Sequence, residues 1–258
     1  MIHKNIMNTY QPRNFAEALY TPTPNLISPP INQAASWRLE GMKSVIGEFK
    51  RPINALEIGV WYGEGSTKIW LDALIEKSSI TLIDFWKPYC SDKDKQDSAF
   101  DYQKMDNMTH EAFINTINVV RKYEAKKDLN ITIIRGSSKD YLKNFTSNTF
   151  DFIYIDGNHQ YDSVKSDIVN AKRIVNQKFG IICGDDYEND PTPEILELAR
   201  KNTNVDFLKE PGVNHFHPGT LLAIHEELLN GEVNRHEGFW WVYIKDGKLT
   251  KNKPKDFK

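Results

Sequence analysis

The chain is poor in the features that mark a membrane, secreted or nucleic-acid-binding protein. No apolar run approaches the ~20 residues a membrane-spanning helix requires. Met1 to Phe15 lack the continuous apolar core of a secretory leader. There are only two cysteines, Cys90 and Cys183, in different segments, so no disulfide framework is implied. Excess charge of one sign is missing too. The 33 Lys and Arg stand against 35 Asp and Glu, a net charge of -2, which leaves no electrostatic case for nucleic acid or a membrane surface. No internal repeat is visible. The expectation is a cytoplasmic protein whose partner is a small molecule, with a homo-oligomer left open.

What is present fits a soluble α/β protein. The chain has 258 residues, 40% hydrophobic and 26% charged, enough for one large domain with a sizeable core. Residues 1–35 read as an extended arm, because Thr21-Pro22-Thr23-Pro24 and Pro29-Pro30 cannot be helical. Met42, Val45, Ile46 and Phe49 then recur at helical spacing. Apolar strands are predicted at Ile53–Ile58, Ile80–Asp84, Asn130–Ile134, Phe150–Ile155 and Phe179–Cys183, with amphipathic helices between them. A final strand over Gly238–Ile244 should run antiparallel, paired through Glu232–His236. The predicted fold is a Rossmann-like, mostly parallel sheet of seven strands with helices on both faces. The stretch 86–108 is polar and reads as a solvated loop. Residues 188–217 interrupt the alternation and read as a lid or substrate wall within a domain spanning 36–250. The tail 251–258 is expected to be loose.

The chain is organised around Asn54-Ala55-Leu56-Glu57-Ile58-Gly59-Val60-Trp61-Tyr62-Gly63-Glu64-Gly65-Ser66-Thr67. A strand runs into a carboxylate, then a turn punctuated by Gly59, Gly63 and Gly65, then a helix start at Ser66. Glycine permits φ > 0 and close approach of a ligand to the backbone. Glu57 selects the ligand, since an acid beside a helix N-terminus repels a dinucleotide pyrophosphate. S-adenosylmethionine (SAM) brings an ammonium and a sulfonium, which an acid attracts. The E-x-G-x-x-x-G-x-G pattern resembles motif I of the class I SAM-dependent methyltransferases. Asp84 ends the second strand, where a ribose diol needs an acceptor. Ser138, after the third strand, stands where related enzymes contact the adenine edge, or else caps the next helix. A rival reading is a short-chain dehydrogenase, whose glycine pattern and Tyr-x-x-x-Lys pair are matched by Tyr161 and Lys165. Its apolar residue at the position of Glu57 and its Asn-Asn-Ala-Gly stretch are missing.

Three acids end neighbouring strands: Asp156 after the fourth, and Asp185 and Asp186 after the fifth. Parallel neighbours lie ~4.8 Å apart, so the three need a cation or a retained proton. Oxygen ligands favour Mg²⁺, then Mn²⁺, Ca²⁺ or Fe²⁺. The pairing of I-D-G-N-H-Q-Y with G-D-D-Y resembles the metal-dependent O-methyltransferases related to macrocin O-methyltransferase, which act on sugar hydroxyls. More distantly it is similar to catechol and caffeoyl-coenzyme A O-methyltransferases. The resemblance implies Asp156, Asp185 and Asp186 as metal ligands, with Asp156 also beside the cofactor. Some relatives carry a general-base Asp two residues after the first metal Asp, where this chain has Asn158. His159 is next to it and can accept a proton. His215 and His217 are alternatives, and with Tyr187 they are candidates for the acceptor wall. The function expected is metal-assisted methyl transfer from SAM to a hydroxyl of a small polar acceptor, a sugar or nucleotide-linked sugar. A catechol or phenol acceptor is the nearest substitute, and a non-catalytic SAM-binding protein is the alternative of another class.

Overall fold

Phe152, Ile153, Tyr154 and Ile155 are all buried, so the fourth strand is covered on both faces. Successive side chains of a strand point to opposite faces. Phe152 and Tyr154 enter one core, with Trp70 and Phe113. Ile153 and Ile155 enter a second, with Ile168 and Leu221. The computed structural model describes residues 36–89, 91–96 and 102–257. The expected arm 1–35 and Cys90 lie outside the described residues.

In chain order the helices are α1 (Ser36–Ile46), α2 (Ser66–Ala73), α3 (Asp92–Gln96), α4 (Tyr102–Asn107), α5 (Thr109–Glu124), α6 (Ser138–Tyr141), α7 (Tyr161–Ile174), α8 (Pro193–Lys201) and α9 (Pro218–Glu227). The strands are β1 (Asn54–Ile58), β2 (Ser79–Asp84), β3 (Asn130–Arg135), β4 (Phe152–Ile155), β5 (Phe179–Gly184), β6 (Asn234–His236), β7 (Phe239–Lys245) and β8 (Lys248–Thr250). Their order across the sheet is β3-β2-β1-β4-β5-β7-β6, with β8 paired to β7. The first five strands run parallel, while β7 is antiparallel to β5. This is the Rossmann-like arrangement expected. Strand order reverses between β1 and β4, which opens a crevice at their carboxyl ends.

Three local expectations are corrected. The sheet has eight strands rather than seven. Lys245 pairs with Lys248 around Asp246-Gly247, both at positive φ. That Asp-Gly pair, with Ile244 and Leu249 one residue further out on either side, is the signal of a two-residue hairpin turn. The stretch after β2 contains the short helices α3 and α4 rather than only loop. The tail is anchored: Phe257 is buried among Phe49, Phe179 and Tyr243, at ring separations of 5.2, 6.0 and 5.6 Å.

The segment 188–217 is packed into the second core. Leu196, Ala199, Val205, Leu208 and Phe216 are buried there, and Leu208 bridges Phe216. Among the described residues no helix is long and apolar enough to cross a membrane.

Candidate active site

The β1 tip is built by close backbone approach. Gly59 has φ +86°, and a Cβ there would run into the Asp156 carbonyl, so the loops after β1 and β4 can touch only through glycine. Gly63, φ +70°, lies against Thr116 of α5. Gly65 is the N-cap of α2 and accepts from Lys68 N and Ile69 N. Glu57 is fully buried. Its Oε1 accepts the Ser66 hydroxyl at 2.6 Å, while Oε2 has no partner. Burial pushes the Glu57 carboxyl up to about 8, opposed by the Ser66 and Thr67 hydroxyls and reinforced by Asp156 and Asp84. A buried carboxylate oxygen without a donor, facing other acids, is matched by a ligand ammonium.

Asp84, the expected ribose acceptor, has backbone partners on both carboxylate oxygens. Its Oδ2 accepts Val60 N and Trp61 N, both at 2.8 Å, and its Oδ1 accepts Trp86 N at 2.7 Å. The carboxylate ties the glycine loop to the β2 tip. Burial raises its pKa against those three N–H donors. Ser138 likewise turns inward, toward Asp167 of α7, a buried acid pushed up to about 7 by its burial and opposed by the Ser138 hydroxyl. One oxygen of Asp167 lacks a partner.

The second cluster lies at the β4 and β5 tips, and it differs from the three acids expected. Asp156 Oδ2 accepts the Tyr154 hydroxyl at 2.9 Å. His159 Nε2 lies 3.5 Å from Asp156 and 3.0 Å from Asp186. His159 Nδ1 is 3.0 Å from Asp206 Oδ1. The His159 and His217 rings meet edge to face at 4.5 Å. His217, the N-cap of α9, holds Glu188 at 2.6 Å and lies 3.7 Å from Asp186. Asp185 stands at the edge of the cluster: its carboxylate pairs with Arg38 of α1, whose guanidinium also lies 3.8 Å from Asp186, and it accepts Asp186 N at 2.8 Å. Asp186 sits at φ 64°, so the chain turns sharply at the second of the two acids.

The acids of this cluster are partly offset by its own cations, Arg38, His159 and His217. Burial alone would lower the His159 pKa, but the charges of Asp206 and Asp186 outweigh it and raise it well above the usual imidazole value. Burial raises Asp156, opposed by the His159 imidazole 3.5 Å away. Asp186 is pushed the other way: burial is outweighed by the nearby His217, His159 and Arg38, which hold it far below the carboxylate range. Two acids facing one imidazole are thus driven apart, one toward its protonated form and one ionised.

The profile of a family described as a methyltransferase domain matches residues 56–187. The chain belongs to that family. As a methyltransferase it carries the β1 loop, the β2 acid and both acidic strand tips within the matched stretch. A search among curated proteins finds no match. Among solved structures, the chain is similar to the O-methyltransferase TomG from Streptomyces achromogenes in complex with SAM, at 12% identity over 84% of this chain and 82% of that one, TM-score 0.47. It is also similar to the methyltransferase PaMTH1 from Podospora anserina bound to S-adenosylhomocysteine (SAH), at 17% identity over 81% and 77%, TM-score 0.45. Against a methyltransferase-type protein from Galdieria sulphuraria, identity is 15% and TM-score 0.37. There the match covers 65% of this chain and 53% of the other, so the chain spans about half that relative's length. With TM-scores below 0.5, these likenesses assign no residue a role.

For a methyltransferase, the site assembles Asp156, His159, Asp186 and His217 of the residues singled out from sequence. It leaves three outside. Asp185 faces Arg38. Tyr187 donates its hydroxyl to Gly231 O at 3.1 Å, away from the cluster. His215 packs on Phe207 at 5.7 Å and contacts none of the acids. Asp206, Glu188, Arg38 and Tyr154 were missed, because each is ordinary in its local sequence and gains meaning only by proximity. The dehydrogenase-like pair is a surface feature: Tyr161 and Lys165 of α7 both bond Glu226 of α9, at 2.5 and 2.9 Å.

Proposed function

We propose that this methyltransferase transfers a methyl group from SAM to a hydroxyl of a small polar acceptor, a sugar or nucleotide-linked sugar. We also propose that a divalent ion assists at the β4–β5 tips. The observation that carries the reading is the convergence of Asp156, His159, Asp186 and His217 beside the loop that holds Glu57. SAM fits the first cluster, because unpartnered Glu57 Oε2 beside Gly59 and Gly63 offers an anion to its ammonium. When bound, SAM supplies the methyl group, which leaves sulfur for the acceptor oxygen as SAH forms.

A metal fits the second cluster. One ligand atom from each of His159, Asp186 and His217 lies within 4.8 Å of the others. Nδ1 of His159 is fixed by Asp206, the carboxylate support that metal-ligating histidines usually have. Two nitrogens and one oxygen suit Mn²⁺ or Fe²⁺ better than the Mg²⁺ favoured by an all-oxygen set. Such an ion, when bound, lowers the pKa of an acceptor hydroxyl.

The chain's own residues divide the remaining work. His159, held between acids, is no longer free to act as the base. Asp156, whose pKa is raised and whose orientation Tyr154 fixes, is the group suited to receive the acceptor's proton. The segment 188–217 excludes water, which favours a step in which opposite charges disappear. The Phe207 ring, 5.0 Å from the His217 ring, with Asn189 and Asn214 of the same segment, offers an apolar face and hydrogen-bonding groups together, a mixture suited to a carbohydrate.

The test is to incubate the protein with methyl-labelled SAM, Mn²⁺ or Mg²⁺, and a panel of nucleotide sugars, free glycosides and catechols, with and without chelator. Label in a sugar, lost on chelation, is the expected result. Label in catechols alone would replace the acceptor class. A second reading, the same transfer without a metal, is favoured by one observation: Arg38 and protonated His159 already partly offset the acids. Full turnover in chelator would establish it.

A further inference from the structure

Asp94 is a buried acid in the short helix α3 after β2, far in sequence from the His159 cluster. Half of its bonding is local. Oδ2 accepts Ser91 N at 2.9 Å and the Ser91 hydroxyl at 2.6 Å, and Ser91 Oγ in turn accepts Asp94 N at 3.1 Å. This is a capping box, which fixes the carboxylate's direction. A cap needs only that oxygen. The other, Oδ1, accepts the main-chain N–H of Asp206 at 3.0 Å, 112 residues away.

Asp206 is the residue whose carboxylate holds His159 Nδ1. Its neighbours are pinned from the opposite side, where Tyr161 N donates to Thr203 O at 3.0 Å and Gln160 Nε2 reaches Asn204 O at 3.5 Å. A continuous chain of contacts therefore runs from α3 through the backbone and side chain of Asp206 to the His159 ring. It ends at Nε2, between Asp156 and Asp186. The connection after β2 belongs to the cofactor half of the crevice, and Asp206 belongs to the acceptor half.

We infer that Asp94 is a positioning residue for His159, acting through Asp206, and that it ties the two halves of the site together. The inference rests on the function proposed above only in assigning His159 to the chemistry. The contact chain itself is independent of that assignment. Without Asp94 Oδ1, the loop at Asp206 loses its hold on one side and the imidazole is free to turn from the acids. Asn at this position keeps an acceptor oxygen toward Asp206 N, whereas Ala does not.

The experiment compares Asp94→Ala, Asp94→Asn, Ser91→Ala and Asp206→Ala with the unaltered protein, using two readouts. The first needs neither SAM nor acceptor: the far-downfield proton resonance of a carboxylate-bound His159 Nδ1–H, assigned by its loss in Asp206→Ala. It is expected to disappear by exchange in Asp94→Ala and to persist in Asp94→Asn and Ser91→Ala. The second is kcat. It should fall roughly tenfold in Asp94→Ala, at the low end of the range for groups that support a ligating histidine. KM for SAM should stay unchanged, and Asp94→Asn should recover most of the loss. An unmoved resonance in folded Asp94→Ala overturns the inference. So does equal damage in Asp94→Asn, or loss of the resonance in Ser91→Ala, since either reduces Asp94 to a helix cap. If Asp94→Ala does not fold, the Asn and Ser91 variants decide. A resonance that depends on Asp94 in a protein that methylates nothing would leave the inference standing and sink the proposed function.

Discussion

The two halves of the crevice are made in opposite ways. The cofactor half is nearly contiguous: Glu57, Gly59, Gly63, Gly65 and Ser66 lie within one strand, turn and helix start, and Asp84 braces them through Val60 N and Trp61 N. The acceptor half is gathered from far apart. Asp156, His159, Asp186, Glu188, Asp206 and His217 come from three connections, and Arg38 comes from α1. Local backbone geometry fixes the first half, and ion pairing fixes the second. The first leaves Glu57 Oε2 without a partner, whereas the acids of the second are partly offset by Arg38, His159 and His217. The two should therefore fail separately when altered.

The largest effect tests that separation. Asp186→Ala and His159→Ala should each lower kcat by about 10²-fold or more, the scale for losing a positioned acid–base or ligating group. SAH affinity, measured by calorimetry, should hardly change. A parallel loss of SAH binding would merge the two halves into one. Next is Gly59→Ala, which should reverse the pattern. The new Cβ meets the Asp156 carbonyl at a positive φ. Destabilisation by about 3 kcal/mol is expected from strain plus collision, read in a denaturant melt together with loss of SAH binding.

A smaller effect follows from pH. Glu57 is pushed up to about 8 in the fold from an ordinary 4.5. The folded protein therefore keeps a proton that the unfolded chain releases. Glu57's contribution to stability is complete below about pH 4.5 and is lost as pH rises through about 8. Pairing with a ligand ammonium needs the ionised form. SAH affinity should accordingly rise between pH 6 and pH 8, by at most about tenfold per unit, with the slope flattened in Glu57→Gln. A flat profile in the unaltered protein would remove Glu57 from the cofactor half.

The smallest effects sharpen the border of the acceptor half. Asp185→Asn keeps Asp186 in place and weakens only the contact with Arg38, so turnover should fall by less than about tenfold. His215→Ala, which touches Phe207 and none of the acids, should leave kcat within about twofold. If Asp185→Asn were as damaging as Asp186→Ala, the original trio of acids would be restored as the working set.

The sequence by itself determined the sheet and the glycine turn at the β1 tip. Both depend on short-range rules: apolar runs make strands, glycine permits the turn at Gly59, and a carboxylate at a strand end is visible one residue at a time. An eighth strand was legible too, in Asp246-Gly247, and was passed over. Only the tertiary structure decided which acids face each other. Asp185 and Asp186 are neighbours in the chain and both lie against Arg38, yet of the two Asp186 is the one that reaches His159. Asp206 carries no local pattern, and the Ser91-x-x-Asp94 spacing signals a helix cap without revealing that Asp94 also reaches Asp206 N. Burial and distance, which set whether a carboxylate is a ligand, a brace or a counter-charge, are properties of the folded chain, and no run of residues encodes them alone.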